Sequence, residues 1–254
     1  MTAVLWHIEL SMFSEKARWA FDYKNVPYEL RAPMPGLHRV MALAVTRGAH
    51  TRLPVAEIGG RRVGETSAIV AALEEHAPDP PLYPADPVQR ARALELEELF
   101  DERLGPAVRQ FMWHHLLPDA DAVAGALFTG RAPVRRTMMK VTAPAGRLLV
   151  RKDYNVNAAS AAAARAEIVQ LADRIEAELQ PSGYLVGDAF SVADLAGASL
   201  ITPLLAPPGR PYLPPAIPPV AQELRDELTA RPAGAWVHEM YARHRTPARA
   251  LVAS

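Results

Sequence analysis

Residues 3–9, Ala-Val-Leu-Trp-His-Ile-Glu, form an almost unbroken apolar run, the pattern of a buried strand. From residue 13 the apolar positions change to helical spacing. Phe13, Ala17, Ala20 and Phe21 share a face, with Lys16, Arg18 and Lys24 mostly turned away, so 13–24 is expected to be a helix. Val26-Pro27-Tyr28-Glu29-Leu30 reads as a second strand, its proline at the start, where a missing donor is tolerated. Residues 36–45 suit a short helix. Val55-Ala56-Glu57-Ile58, Gly59-Gly60 and Arg61-Arg62-Val63 then predict a hairpin, because paired glycines supply the positive φ of a tight turn. Residues 66–76 return to helical spacing.

The order is therefore strand, helix, strand, helix, strand, strand, helix, a thioredoxin-like arrangement. Pro78, Pro80, Pro81, Pro84 and Pro87 follow as a linker, since proline fits neither helix interiors nor central strands. Beyond residue 87 only helical patterns appear: a long stretch at 88–115, an amphipathic helix at 159–180, and two more at 220–230 and 233–244. Ser191-Val192-Ala193-Asp194 has the spacing of a capping box, with Phe190 and Leu195 at the staple positions. The expected fold class is α/β plus all-α: residues 1–80 a thioredoxin-like domain, residues 88–254 an all-helical one. The segment 118–157 is rich in Ala, Pro and Met and is longer than such a connection needs, as for an extra helix or a lid.

Composition narrows the chemistry. Half of the 254 residues are apolar, enough for a substantial core in one large or two modest domains. The 28 basic and 28 acidic residues balance, so no global field favours nucleic acid. There is no cysteine, which excludes disulfides, thiolate zinc sites and a cysteine nucleophile. No leader pattern and no apolar run of ~20 residues is present, and a cytoplasmic location is expected. Seven basic residues and no acidic ones lie between 122 and 152, which reads as a solvated face rather than a site for an anion or a membrane surface. His114 and His115 are adjacent, diverge by about 100° on a helix, and are assigned no metal.

Ser11-Met12-Phe13-Ser14 closes the first apolar run and opens the first helix. A serine there ordinarily caps the helix. Its hydroxyl can also donate to a bound anion, which the helix dipole favours too. Ser14 is the better candidate for the cap if Ser11 serves a ligand. Leu53-Pro54-Val55 precedes the hairpin, and Glu65-Thr66-Ser67 opens the helix after it, where acidic and hydroxyl residues stabilise a first turn with or without a ligand.

These motifs, at this separation, resemble the glutathione transferase superfamily, in its serine-type, cytosolic, bacterial-looking form. The resemblance implies that Ser11 stabilises the thiolate of glutathione. It implies a cis Leu53-Pro54 bond whose exposed backbone pairs with the peptide like an added strand. Glu65 would take the γ-glutamyl ammonium, Thr66 its carboxylate and Arg52 the glycine carboxylate, with His38 and Arg39 weaker candidates. Phe13 joins that site. The electrophile pocket would be lined by Met12, Phe111, Met112 and Trp113, with Phe13 and Tyr154 as further candidates. Many relatives have proline where Met12 stands. Glutathione is then a co-substrate and no other cofactor is implied; a small hydrophobic electrophile and a homodimer are expected. The alternatives are a non-catalytic binding protein of this fold, or a glutathione-dependent peroxidase, isomerase or dehalogenase.

Overall fold

The computed structural model describes residues 2–33, 37–119, 121, 123, 146–213 and 217–245, and the backbone of 251–252. β1 (Ala3–Trp6), α1 (Met12–Tyr23), β2 (Tyr28–Arg31), α2 (His38–Thr46), β3 (Val55–Ile58), β4 (Arg61–Gly64) and α3 (Thr66–His76) follow the expected order. β1 is shorter than the apolar run, because His7 and Ile8 already lead into the turn before α1. β2 runs parallel to β1 in register Ala3 to Tyr28, whereas β3 is antiparallel to β1 and β4 to β3. Gly59 and Gly60 carry φ of 57° and 82° in the hairpin turn, a region open to glycine at little cost. α2 closes one side of the sheet through Ala42 and Val45 against Trp6, Leu53 and Val55.

The linker is pinned rather than loose. The buried Lys24 donates through Nζ to Pro78 O at 2.9 Å and Pro80 O at 2.7 Å, and pairs with Glu74. Val192 N donates to Leu82 O at 2.8 Å, tying the same segment to the helices beyond. Those helices are α4 (Pro87–Leu99), a π-helical turn at Phe100–Leu104, α5 (Gly105–Leu116), α6 (Ala158–Glu178), α7 (Val192–Leu200), α8 (Thr202–Leu205), α9 (Pro219–Thr229) and α10 (Pro232–His244). Residues 146–153 are also helical. The long helical stretch expected over 88–115 runs without a break from Pro87 to Leu116, with the π turn inside it. Pro106 has no N–H and crowds the carbonyl four residues back, so the ladder slips to a bond from Gly105 N to Phe100 O.

α7 is buried along its whole length. Asp194 anchors its start, accepting from Leu185 N at 2.8 Å, Ser191 N at 2.9 Å and Ser191 Oγ at 2.8 Å. Burial pushes the Asp194 carboxyl up to about 6, against the pull of these bonds. The second domain is not helical to its end. β5 (Leu251–Val252) adds in parallel to β2, opposite Glu29 and Leu30, and makes the sheet order β4-β3-β1-β2-β5. Its two residues occupy the open edge of β2, which a sequence pattern so short cannot announce.

α1 differs most from its sequence pattern. Lys16, Arg18 and Lys24, expected to face away from the core, are all buried, at 0%, 1% and 2% exposure. The helical domain covers the face of α1 that the sheet leaves open, so its charges are paired inside the protein. Glu15 accepts from Arg18 at 2.8 Å and from Arg245 Nε at 2.8 Å, and Arg245 donates its other arm to Asp22 at 2.6 Å. Tyr241 donates to Glu15 at 3.3 Å and Trp19 Nε1 to His244 O at 3.0 Å, so the end of α10 docks on α1. Trp19 fills the junction between Phe190 and Tyr241, with ring centroids 5.5 and 4.4 Å away.

Removing Arg245 would leave Glu15 and Asp22 buried with too few cations. Arg245→Ala is therefore expected to lower stability by about 3–5 kcal/mol in urea denaturation. The pH dependence has a definite sign. Burial raises the Glu15 carboxyl, but the Arg18, Arg245 and Arg210 guanidiniums outweigh it and hold it below the ordinary value of 4.5. The folded state therefore takes up this proton less readily than the unfolded chain. The stabilisation is complete above that ordinary value and is lost as pH falls through the depressed one. Denaturation midpoints measured across the acid range should show this limb, flattened in Glu15→Gln.

Candidate functional site

The start of α1 fixes the first element of the site. Ser11 is its N-cap, its Oγ accepting from Ser14 N at 3.3 Å. Ser14 is not the cap. It is buried, and its Oγ accepts instead from Ile8 N at 3.1 Å, bracing the turn that delivers Ser11. The two roles expected to be alternatives at Ser11 are compatible: its oxygen accepts from the helix, and its own proton remains available to donate. Arg210 donates to Leu10 O at 2.9 Å and so holds the same turn from the helical domain.

The second element is the approach to the hairpin and to α3. The Leu53-Pro54 peptide bond is cis. The backbone N–H and C=O of Leu53 make no hydrogen bond among the described residues. Glu65 has φ 66° and ψ 139°, a conformation that side-chain-bearing residues rarely adopt, at a cost on the order of 1–3 kcal/mol. Such strain persists only where the surroundings enforce it. Its carboxylate makes no capping bond, and α3 therefore begins with free backbone amides beside the Thr66 hydroxyl, an arrangement suited to an anion. Gly64, just before, lies under His50: a Cβ there would come within 2.4 Å of the imidazole ring.

The third element is the wall opposite, from α4, the π turn and α5. Leu94, Glu97, Glu98, Asp101, Glu102, Pro106 and Arg109 face Phe13, the stretch 49–54 and Glu65, Thr66 and Ser67 across a cleft of about 900 Å³. Lys16 lies buried behind this wall, 2.9 Å from Glu97 and 2.5 Å from Asp101. Burial lowers the Lys16 ammonium, but the two carboxylates outweigh that effect and keep it protonated. Phe13 packs on Gly105, where a Cβ would approach its ring to 2.5 Å, so glycine lets helix and ring meet.

Of the residues expected to bind glutathione, Phe13, Arg52, Leu53, Pro54, Glu65 and Thr66 all line this one cleft. Ser11 is absent from its wall and sits two residues before Phe13. The expected electrophile pocket is different. Met12, Phe111 and Met112 are buried in the main core at 6%, 1% and 6% exposure, and none lines the cleft. Trp113 is half-buried against the same core, outside the cleft. The reason is helical phase: the turn of α5 that meets the cleft carries Pro106 and Arg109, so Phe111 and Met112 turn inward. Tyr154 packs against Arg109. His38 and Arg39 lie elsewhere, Arg39 paired with Asp153 at 3.0 Å.

Sequence reasoning missed His50, the acidic face of α4 and Arg109. Leu94, Glu97, Glu98, Asp101 and Glu102 do recur at helical spacing, a stripe that was legible but reads as a solvated surface. Of the seven basic residues at 122–152, Arg131, Arg135, Arg136 and Lys140 lie outside the described residues, and Arg147, Arg151 and Lys152 belong to the helical stretch 146–153. No cluster of three potential metal ligands occurs among the described residues.

Comparison with known proteins agrees with this geometry. Residues 5–81 match the family described as "Glutathione S-transferase, N-terminal domain", and residues 138–230 that described as "Glutathione S-transferase, C-terminal domain". The chain is 31% identical over 94 residues to glutathione S-transferase U6 of Arabidopsis thaliana, covering 37% of this chain and 42% of that protein. It is 30% identical over 103 residues to a protein of Caenorhabditis elegans named "probable maleylacetoacetate isomerase", covering 41% and 48%. The matches thus span less than half the length of these relatives. The fold resembles that of the beta-etherase LigF from Sphingobium sp. strain SYK-6, with TM-score 0.62 and 21% identity over 94% of this chain and 99% of that one. It also resembles a theta class glutathione S-transferase from Xanthomonas axonopodis pv. citri with glutathione bound, with TM-score 0.57 and 22% identity over 92% and 95%.

The contact of His50 with Gly64 gives a direct check on this side of the cleft. Gly64→Ala should lower stability by about 1–3 kcal/mol through overpacking, and His50→Ala in the same chain should restore most of it. Thermal denaturation of the two single variants and the double variant measures both effects.

Proposed function

This chain belongs to the glutathione transferase superfamily, and from that premise we propose that it is a serine-type enzyme adding the thiolate of glutathione to a small electrophile. The observation that carries the reading is the convergence of Leu53, Glu65, Thr66 and Arg52 on one cleft that Phe13, two residues after Ser11, also lines. Each offers what one part of the peptide needs. The Glu65 carboxylate receives the γ-glutamyl ammonium, and the free amides of α3 with the Thr66 hydroxyl receive its carboxylate. The unpaired backbone of Leu53 pairs with the cysteinyl residue as an added strand. Arg52, which has no ion pair among the described residues, receives the glycine carboxylate.

In this arrangement the thiol releases its proton to solvent as the Ser11 hydroxyl donates to the resulting thiolate. The sulfur lone pair then forms the bond to the electrophilic carbon, as that carbon's π-bond pair moves to the adjacent atom and is protonated by solvent, or its leaving group departs with the bonding pair. A free thiol has a pKa of about 8.5. One charge-assisted hydrogen bond and the N-terminus of α1 can lower it by about one to two units, which raises the thiolate fraction at neutral pH roughly tenfold or more. Position and preorganised charge supply the rest of the rate. The same thiolate would serve a glutathione-dependent isomerisation or ether cleavage, the reactions named for two of the relatives. A homodimer and a cytoplasmic location belong to the same proposal. The exposed Val88 on α4 supports the first. Among the described residues no helix is long and apolar enough to cross a membrane.

Calorimetric titration with glutathione is expected to show saturable binding, weakened about tenfold or more in Glu65→Ala. Ser11→Ala should keep that binding and lose about tenfold or more in kcat/KM toward a model electrophile, with about 1 kcal/mol of stability lost from the missing cap. No binding at millimolar glutathione would overturn the proposal, and a non-catalytic protein of this fold would tolerate Ser11→Ala.

A further inference from the structure

Most arginines among the described residues are held by acids. Arg18, Arg31, Arg61, Arg92, Arg231 and Arg245 each pair with a carboxylate within 3.0 Å. Arg109 is not. It lines the cleft from α5, has no hydrogen bond or ion pair among the described residues, and its Nε is buried without a partner. Its guanidinium lies against two rings, 4.5 Å from the centroid of Tyr154 and 5.7 Å from that of Phe13. Of the acids lining the cleft, Glu97 and Asp101 are engaged with Lys16, and Glu98 and Glu102 share the wall with Arg109 without an ion pair to it. The second cation of the cleft, Arg52, faces it from the opposite wall. Burial pulls the Arg109 guanidinium down, and the positive charge of Arg52 adds to that effect.

A largely buried cation without a counter-charge is costly, and its cost falls when an anion arrives. The aromatic contacts add direction. They fix the plane of the guanidinium, so the N–H fork is preorganised for a planar two-oxygen anion. We infer that Arg109 is the anion-binding residue of the second-substrate site, and that the electrophile this cleft takes carries a carboxylate.

The inference rests on the proposed glutathione reading for the word electrophile, but not for the anion site itself. The carboxylates of glutathione have their own partners in that reading, at the α3 N-terminus and at Arg52. Arg109 comes from the helical domain with Pro106, against Phe13, on the side left to the second substrate. The expectation of a purely apolar pocket is replaced by an aromatic and cationic one.

The test uses two unreactive probes of the same shape, 3-nitrobenzoate and methyl 3-nitrobenzoate, titrated separately into the full chain, with glutathione titrated on its own. Wild type is expected to bind the acid about tenfold or more tighter than the ester. Arg109→Met should abolish that preference by weakening the acid, with the ester changed less than about threefold. Arg109→Lys, which keeps the charge but not the planar fork, should retain part of it and serves if the methionine variant does not fold. Equal binding of acid and ester by wild type, or a preference that survives Arg109→Met, would overturn the inference. So would a loss confined to glutathione, which would assign Arg109 to the peptide. An acid preference without glutathione binding would sink the transferase reading and leave the anion site standing.

Discussion

The site depends on a charge network buried where the two domains meet. α1 carries Glu15, Arg18 and Asp22 on a face that the helical domain covers, and Arg245 completes the set from the end of α10. Buried charges of this kind contribute less to net stability than an apolar replacement would, but they are unforgiving of misplacement. Both Glu15 oxygens and Asp22 Oδ2 have donors, those on Glu15 Oε1 and Asp22 Oδ2 coming from outside α1, so the rotation and height of α1 against the helices are closely constrained. That rotation places Phe13, two residues after the Ser11 cap, on Gly105 in the wall of the cleft. Arg210 extends the same constraint to the carbonyl of Leu10. The position of a hydroxyl expected to meet a thiolate is thus set by charges well away from the ligand.

Electrostatic division is the second principle of the cleft. Its helical-domain wall is acidic along α4 and carries Arg109 on α5, while the facing side carries Arg52 and the uncapped amides of α3. A zwitterionic peptide finds complementary charge at each end. Lys16 neutralises two of the acids from behind, so the wall is less negative than its residue count suggests. Glu98 on α4 and Glu102 on the π turn remain to oppose anions there, with Arg109 further along the same wall and Arg52 across the cleft to attract them. Fold alone would not distinguish a transferase from a passive binder. This distribution of unpaired charge is what supports the proposed peptide thiol and carboxylate-bearing partner.

The thioredoxin-like half was largely legible in the sequence because its signals are local. Alternating or continuous apolar runs, the Gly59-Gly60 turn and the start of α3 at Thr66 each report on a few neighbouring residues. Ser191 and Asp194 were readable as a cap for the same reason. What failed to show depends on contacts distant in the chain. Lys16 and Arg18 look solvated until Asp101 and Arg245 are brought to them. Phe111 and Met112 look like pocket residues until the π turn before Pro106 sets the phase of α5 and turns them inward. Ser14 looked like the better cap because helix boundaries are ambiguous by a turn, and the demand of Ile8 N for an acceptor is invisible without the fold. Arg109 had no sequence signal at all. Its meaning lies in the absence of a partner.

The state of the bound thiol bears most directly on the whole account. A pH titration of glutathione bound to the protein, followed by the ultraviolet absorption of the thiolate, would measure it. The expected result is a thiol pKa about one to two units below the free value of about 8.5, returning toward that value in Ser11→Ala. A bound thiol that titrates like free glutathione, in wild type and variant alike, would contradict the assignment of Ser11 and with it the chemistry proposed for the cleft.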